Sequence, residues 1–75
     1  MRLKINLETQ TDVLEFCKIA SNLDGDIRVV GHDHGQECSV NAKSLLGLLY
    51  STTWNDIWCV SDNDIYSHIS KFAAD

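Results

Sequence analysis

The sequence predicts an α+β fold, a two-layer open-faced β-sandwich in which a four-stranded antiparallel sheet carries helices on one face. Two observations predict it. Segments that alternate polar and apolar residues are interleaved with segments whose apolar residues recur every three or four positions, and their order is β-α-β-β-α-β-α. A chain of 75 residues has room for a single domain, which we expect to span 1–75.

The first two elements are a strand and a helix. Strand 2–7 places Leu3, Ile5 and Leu7 on one face and polar residues on the other. In 11–23 the apolar residues fall on one helical face, and Thr11 is the predicted N-cap. The residues of that face are Val13, Phe16, Cys17, Ala20 and Leu23.

The middle of the chain predicts a hairpin and a short helix. Strands at 26–32 and 37–40 flank the turn residues 33–35, which is a hairpin signal. The leucine-rich segment 43–50 predicts a helix, and Ser44 stands directly before the apolar run, where an N-cap belongs.

The last part of the chain predicts a central strand at 56–61 and a final helix whose start is capped within 62–64. Its apolar residues are Ile65, Ile69, Phe72 and Ala73. Trp58 alternates with Ile57 and Cys59, which leaves three alternatives for its side chain. It lies exposed on the open sheet face, where it would suggest an interface, or it packs inward together with Val60, or long side chains of a neighbouring strand cover it. Trp54, in a loop, is undecided.

Charge excludes two classes of partner. Eleven carboxylates oppose six cations, for a net charge of −5. The cations are scattered along the sequence and form no basic stripe: Arg2, Lys4, Lys18, Arg28, Lys43 and Lys71. Because nucleic acids and anionic membranes are bound largely through Lys and Arg, we expect neither nucleic acid nor a membrane as partner.

The cellular compartment is predicted from the N-terminus and the cysteines. The first residues alternate where a signal peptide needs an unbroken apolar run, and no transmembrane stretch follows. Cys17, Cys38 and Cys59 are odd in number and lack CxxC spacing, which favours reduced, buried thiols. We therefore expect a cytoplasmic protein.

Candidate chemical sites are few. His32, His34 and Cys38 offer three metal ligands, but a structural zinc site needs four, and polar residues at a hairpin tip are ordinary. No nucleophile elbow, P-loop or GxGxxG motif is present. Asp62 and Asp64 are more simply helix-start residues than an acid/base pair. We expect no catalytic residue, no metal and no cofactor.

The segment Ser39–Leu49 carries the most specific pattern in the chain. It matches V-N-x-K-S-(apolar)₂-G-(apolar)₂ at Val40, Asn41, Lys43, Ser44, Leu45, Leu46, Gly47, Leu48 and Leu49. This segment resembles the region around the regulatory serine of the HPr family, the small phosphocarriers of the bacterial sugar phosphotransferase system. The element order also agrees with that family's open-faced β-sandwich over nearly the whole chain.

The resemblance fails at the phosphocarrier site. The family motif G-x-H-A-R-P should precede the first helix, but Thr9 stands at the position of the phosphorylated histidine and Thr11 at that of the phosphate-binding arginine. A threonine hydroxyl does not accept and pass on a phosphoryl group as an imidazole does. The chain therefore looks closest to the histidine-lacking branch of the family, the catabolite-repression HPr-like proteins.

The resemblance implies a regulatory, non-catalytic module. Ser44 would be the regulatory phosphosite, and Lys43, Leu45, Leu46 and Leu49 would bind a protein partner, such as HPr kinase or a transcriptional regulator. A phosphate there would meet the helix N-terminus, which favours an anion. The alternatives are an unregulated binding scaffold, in which Ser44 is only an N-cap, and a divergent phosphocarrier.

Overall fold

The structure, a computed structural model, describes residues 1–74 and confirms the α+β class. Its strands are β1 (Arg2–Lys4), β2 (Ile27–Asp33), β3 (Gln36–Asn41) and β4 (Asn55–Ser61), and its helices are α1 (Gln10–Ser21), α2 (Leu45–Ser51) and α3 (Tyr66–Ile69), followed by a 3-10 turn at Ser70–Phe72. The four strands form one antiparallel sheet in the order β1-β4-β2-β3. Within residues 1–74, no helix has the length and apolar character that crossing a membrane requires.

The core lies between one face of the sheet and the helices. Alternate residues of the two central strands are buried: Ile27, Val29, Ile57 and Cys59. Phe16 of α1 is fully buried with them and meets Phe72 edge to face, with ring centroids 5.4 Å apart. The residues between them, including Trp58, face the other side of the sheet and are at most half-buried. Of the alternatives that the sequence left open for Trp58, inward packing together with Val60 is therefore wrong, because both residues lie on the face away from the core.

The N-terminal strand is shorter than predicted. It was expected over 2–7 but ends at Lys4, and Ile5 makes only an isolated bridge to Ala73. The amide of Asn6 then donates to the carbonyl of Phe72 at 2.8 Å. The C-terminal segment thus covers this edge of the sheet, while Leu7 stays buried without belonging to a strand.

The N-cap of α1 is Thr9, and the prediction of Thr11 was wrong. The Thr9 hydroxyl accepts the Asp12 amide at 3.1 Å, and an Asp12 carboxylate oxygen accepts the Thr9 amide at 3.3 Å. This reciprocal pair is a capping box, which satisfies two amides that the helix leaves unpaired. Thr11 lies exposed inside the first turn. At the other end α1 stops at Ser21, two residues before the predicted end.

The hairpin turn is tighter than the three residues predicted for it. Asp33 pairs with Gln36, so only His34 and Gly35 connect β2 to β3. Both have positive φ, 51° and 81°, which is the geometry of a two-residue turn that matches the twist of the strands.

One irregularity in the sheet lies between β2 and β4. The register shifts by one residue between Val30 and His32, and Asp56 opposite them has a φ of 48°, as a bulge requires. A Cβ on the neighbouring Gly31 would lie 3.0 Å from Trp54 Cε3. Trp54, undecided from sequence, is buried against this glycine with 7% of its surface exposed.

The last helix was predicted as one unit but is two. α3 covers a single turn, and the chain then tightens into the 3-10 turn. Its N-cap residue, Ile65, makes no side-chain cap, while Asp64 Oδ1 accepts the Tyr66 amide at 3.0 Å. Of the predicted capping residues 62–64, only Asp64 therefore supports the helix start.

Three of the six cations, which are scattered along the sequence, share one face of the sheet. Arg2, Lys4 and Arg28 lie on the face of the sheet that the core does not use, because β1 and β2 both pair with β4. Long-range strand pairing therefore gathers residues that the sequence separates by more than twenty positions.

Candidate functional site

Ser44 occupies the N-cap of α2, as predicted. Its backbone is extended, with φ −101° and ψ 115°, and its hydroxyl accepts the Gly47 amide at 3.3 Å. The residue is exposed, and the first turn of α2 contains no acidic side chain. A Cβ on Gly47 would lie 3.0 Å from Val40 Cβ, so the glycine allows this turn to pack closely on β3.

Lys43, predicted to bind a partner beside Ser44, is engaged within the chain. Its ammonium donates to the carbonyl of Leu23 at 2.8 Å, just beyond the end of α1. Its own amide donates to Asn41 Oδ1 at 2.9 Å. A cation near a helix C-terminus interacts favourably with the carbonyls that the helix leaves unpaired. The structure therefore places this charge at the end of α1 rather than at the Ser44 hydroxyl.

An exposed leucine patch lies next to Ser44 and consists of Leu14, Leu45, Leu46 and Leu49. Leu46 exposes 81% of its surface and Leu14 exposes 55%. Leu14, Leu45 and Leu49, together with Gln10, line one shallow and mainly apolar hollow. Leu48, in contrast, is fully buried and anchors α2 to the core.

Leu14 is the patch residue that sequence reasoning missed. Its signal was available, because it is an apolar residue outside the buried stripe of α1 that contains Val13 and Phe16. An apolar side chain on the polar face of an amphipathic helix points either to solvent or to a partner. Only the packing of α1 beside α2 shows that it joins the leucines of the second helix.

The two threonines that the resemblance aligns with the phosphocarrier site, Thr9 and Thr11, lie at the start of α1. Thr9 Oγ1 already accepts the Asp12 amide, and Asp12 Oδ2 accepts both the Glu8 amide at 3.1 Å and the Thr9 amide at 3.3 Å. A carboxylate of this chain therefore already accepts two backbone amides at the start of α1. The negative charges of Glu8 and Asp12 also oppose a second anion at this place.

The three side chains considered as metal ligands do not converge. Within residues 1–74 no group of three or more His, Cys, Asp or Glu side chains is arranged to hold an ion. His32 pairs with Glu37 on the open side of the sheet, whereas Cys38 is opposite Gly31 and faces the other side. His34, 95% exposed at the turn, contacts Asp33 with Nδ1 2.8 Å from Oδ1.

Two titrating groups have shifted pKa values, and neither lies in the leucine patch. Burial in the core raises the pKa of the Cys59 thiol to about 11. The hydrogen bond from the Tyr50 hydroxyl to Asp33 Oδ2, at 3.2 Å, raises the pKa of Tyr50, and the charge of Asp33 raises it further. The thiol is therefore unreactive at neutral pH, and the tyrosine links α2 to the end of β2.

The indole of Trp54 packs against Tyr50, so that Tyr50, Asp33 and Trp54 form a cluster at the end of α2. Its ring stands edge to face against Tyr50, with centroids 5.4 Å apart. Its Nε1 is buried without a hydrogen-bond partner in the described part of the chain. The cluster of Tyr50, Trp54 and Asp33 links the C-terminal part of α2 to the sheet.

Comparison with models of protein families, with curated proteins and with solved structures returned no match.

Proposed function

We propose that this chain is a non-catalytic, HPr-like regulatory module that binds a protein partner through the leucine patch, with Ser44 as the phosphosite that controls binding. The observation that carries the proposal is the position of Ser44. The residue is an exposed N-cap that lies directly before Leu45 and Leu46, so a modification of its hydroxyl falls at the edge of the apolar surface.

A phosphate on Ser44 is compatible with the fold. Transfer of the γ-phosphoryl group of ATP to Oγ would release ADP and a proton and add about −1.5 to −2 charge. The first amides of α2 have no partner within the helix, and no carboxylate occupies its first turn. The modified residue would keep its capping position. Its negative charge beside Leu45 and Leu46 would change which partner proteins bind the leucine patch.

The phosphocarrier alternative is the weaker one. It requires a phosphoryl acceptor at the start of α1, where Thr9 is already an N-cap and Asp12 is bonded to the adjacent amides. His32, His34 and His68 lie in the hairpin and in α3, so none replaces the missing histidine at that helix.

The unregulated scaffold remains the second candidate, and one observation favours it. The Ser44 hydroxyl accepts the Gly47 amide, which is a sufficient structural reason for a serine at this position. In that case the leucine patch binds its partner without phosphorylation, and the two candidates differ only in whether a kinase modifies Ser44.

The test is mass spectrometry of the intact protein and of its peptides after two incubations. The first contains HPr kinase and ATP, and the second contains enzyme I and phosphoenolpyruvate. We expect one phosphate on Ser44 in the first reaction and none in the second. Ser44→Ala should remain unmodified, while Ser70→Ala, which changes another exposed serine, should be modified like the wild type.

The other outcomes separate the candidates. An acid-labile phosphate in the second reaction would overturn the proposal in favour of a phosphocarrier. No phosphate in either reaction, with a kinase that modifies HPr in the same tube, would leave the unregulated scaffold as the function.

A further inference from the structure

The open sheet face is the face of the sheet directed away from the core. Two rows of paired residues cross it. The first row is Arg2, Val60, Arg28 and Asn41, and the second is Lys4, Trp58, Val30 and Ser39. Val60, Trp58 and Val30 are half-buried and adjacent. The face therefore has an apolar centre with cations on both sides of it.

The two arginines on this face have no carboxylate partner within residues 1–74. The Arg2 guanidinium lies over the Trp58 ring, 4.9 Å from its centroid. Arg28 Nε donates to the Ser39 hydroxyl at 2.8 Å. Lys4 differs, because its ammonium lies 3.4 Å from Asp56. Both guanidiniums thus keep their full charge and further N–H donors for a ligand.

The open sheet face carries cations on an acidic molecule, although Asp56 pairs with Lys4 and Glu37 lies opposite His32 on the same face. It carries half of the six cations of a chain whose net charge is −5. Of the other cations, Lys71 forms an ion pair with Glu15, and Lys43 binds the Leu23 carbonyl. Only Lys18 is left on the helical side without such a contact among the described residues. The positive charge available to a partner is therefore concentrated at Arg2 and Arg28.

We propose that the open sheet face binds an acidic segment of a partner protein, with carboxylates on Arg2 and Arg28 and an apolar side chain on Trp58. Guanidinium groups bind carboxylates through two parallel hydrogen bonds, and Trp and Arg together are typical of the residues that dominate binding energy. The site lies across the sheet from the leucine patch and does not depend on phosphorylation of Ser44. The module would then hold two partners at once.

The charge of the molecule also favours an acidic peptide over a nucleic acid, which is the other anionic ligand that a sheet face with an aromatic residue can bind. Nucleic-acid binding draws its affinity from many neutralised phosphates. The open sheet face offers only three cations and one aromatic ring, that of Trp58, among the described residues, which favours a short acidic ligand. The overall charge of −5 repels a long polyanion more than a short acidic segment.

The test is selection from a random peptide library displayed on phage, with the wild-type protein as bait. Only peptides that also bind Leu46→Asp are kept, which removes ligands of the leucine patch. The double variant Arg2→Gln/Arg28→Gln removes the two free guanidiniums. Its matched control, Lys18→Gln/Lys71→Gln, makes the same change of net charge outside the face.

We expect the retained peptides to be enriched in Asp and Glu around an apolar residue. Their affinity should fall about ten-fold or more in Arg2→Gln/Arg28→Gln, since each lost charge-assisted contact is worth on the order of tenfold. The control should change it less than about two-fold, and salt should weaken it. In nuclear magnetic resonance spectra the Trp58 indole signal should shift while that of buried Trp54 stays in place.

Several results would overturn the inference. They are a failure to enrich any peptide, enrichment of peptides that are not acidic, equal binding to both double variants, and shifts located outside the sheet face. Tighter binding of an oligouridine than of the selected peptide would also overturn it, in favour of a nucleic-acid site. Urea denaturation of each variant shows whether a lost affinity reflects the surface or the fold.

Discussion

The N-termini of α1 and α2 are both capped by a hydroxyl, but only the start of α1 also carries a negative charge. Both begin with a hydroxyl residue that accepts an amide three positions later, Thr9 from Asp12 and Ser44 from Gly47. α1 adds its own carboxylate, which accepts two further amides, whereas α2 has no acid in its first turn. One helix start is thus already occupied by an anion, and the other is left to a hydroxyl.

Because of this difference, a phosphate would meet different surroundings at the two hydroxyls. A phosphate at Thr9 would displace Asp12 from its amides and meet the charge of Glu8. A phosphate at Ser44 would displace no carboxylate and would remain beside the Gly47 amide, which lies 3.3 Å from the hydroxyl. The local electrostatics, and not the exposure of the hydroxyl, therefore distinguish the two positions.

The largest expected effect is on the free energy of unfolding at alkaline pH, and it comes from the Cys59 thiol in the core on which both helices pack. It limits the pH range in which the two helix starts can be compared. The raised pKa means that the folded state keeps the Cys59 proton up to about pH 11, whereas the unfolded chain releases it near pH 9. The folded state then binds more protons, so the free energy of unfolding falls as pH rises through this range, by at most about 3 kcal/mol.

Urea denaturation at several pH values measures this effect. Cys59→Ala should be less stable than the wild type at neutral pH because it leaves a cavity, and it should lose this part of the alkaline slope. Cys17→Ala serves as the control and should keep the slope. Parallel curves for wild type and Cys59→Ala would show that the thiol does not contribute.

The next effect separates the two helix starts. Thr9→Ala/Asp12→Ala removes both halves of the capping box and should lower the free energy of unfolding by about 2 kcal/mol, since one cap is typically worth about 1. Denaturation curves of the double variant and both single variants give the coupling between the two residues. Additive single effects would mean that they do not act as a reciprocal pair.

Ser44→Ala removes the hydroxyl that accepts the Gly47 amide at the start of α2 and should cost about 1 kcal/mol. Ser44→Thr keeps the hydroxyl and serves as the control, with a smaller loss. If Ser44→Ala is as stable as the wild type, the 3.3 Å contact to Gly47 does not stabilise the helix, and the structural reason for this serine disappears.

The smallest expected effect comes from adding a carboxylate at each helix start, which tests the electrostatic difference between them directly. Ser44→Asp places a carboxylate at a helix start without acids and should change stability by at most about 0.5 kcal/mol, in the stabilising direction at low salt. Thr9→Asp adds a third carboxylate beside Glu8 and Asp12 and should be destabilising. The same sign for both variants at neutral pH would remove the electrostatic distinction between the two sites.

Short-range patterns were sufficient for most of the fold. Alternation and helical spacing predicted every strand and helix in order, and the apolar run after Ser44 located its cap. The Thr9 cap was missed although Thr9-x-x-Asp12 is a capping-box pattern, because Thr11 also stood before the first apolar residue. The early end of β1 could not be predicted, because it depends on the contact of Ile5 with the distant Ala73.

The leucine patch and the cations of the open sheet face were harder to predict from the sequence than the secondary structure. Leu45, Leu46 and Leu49 follow from one helical segment, but Leu14 joins them only through the packing of α1 on α2. Arg2 and Arg28 are brought together by a strand, β4, that lies between them. Strand order is a long-range property, and periodicity within a segment contains no information about it.

The contact between Gly31 and Trp54 places a condition on the evolution of this chain. The indole occupies the space into which a side chain at position 31 would extend, with Cε3 only 3.0 Å from an added Cβ. A larger residue at 31 is acceptable only after residue 54 has become smaller and Ile57, whose Cγ2 lies 3.1 Å from the same point, has moved aside. Among descendants of this sequence the two positions should therefore change together, glycine with tryptophan and a bulkier residue with a smaller partner.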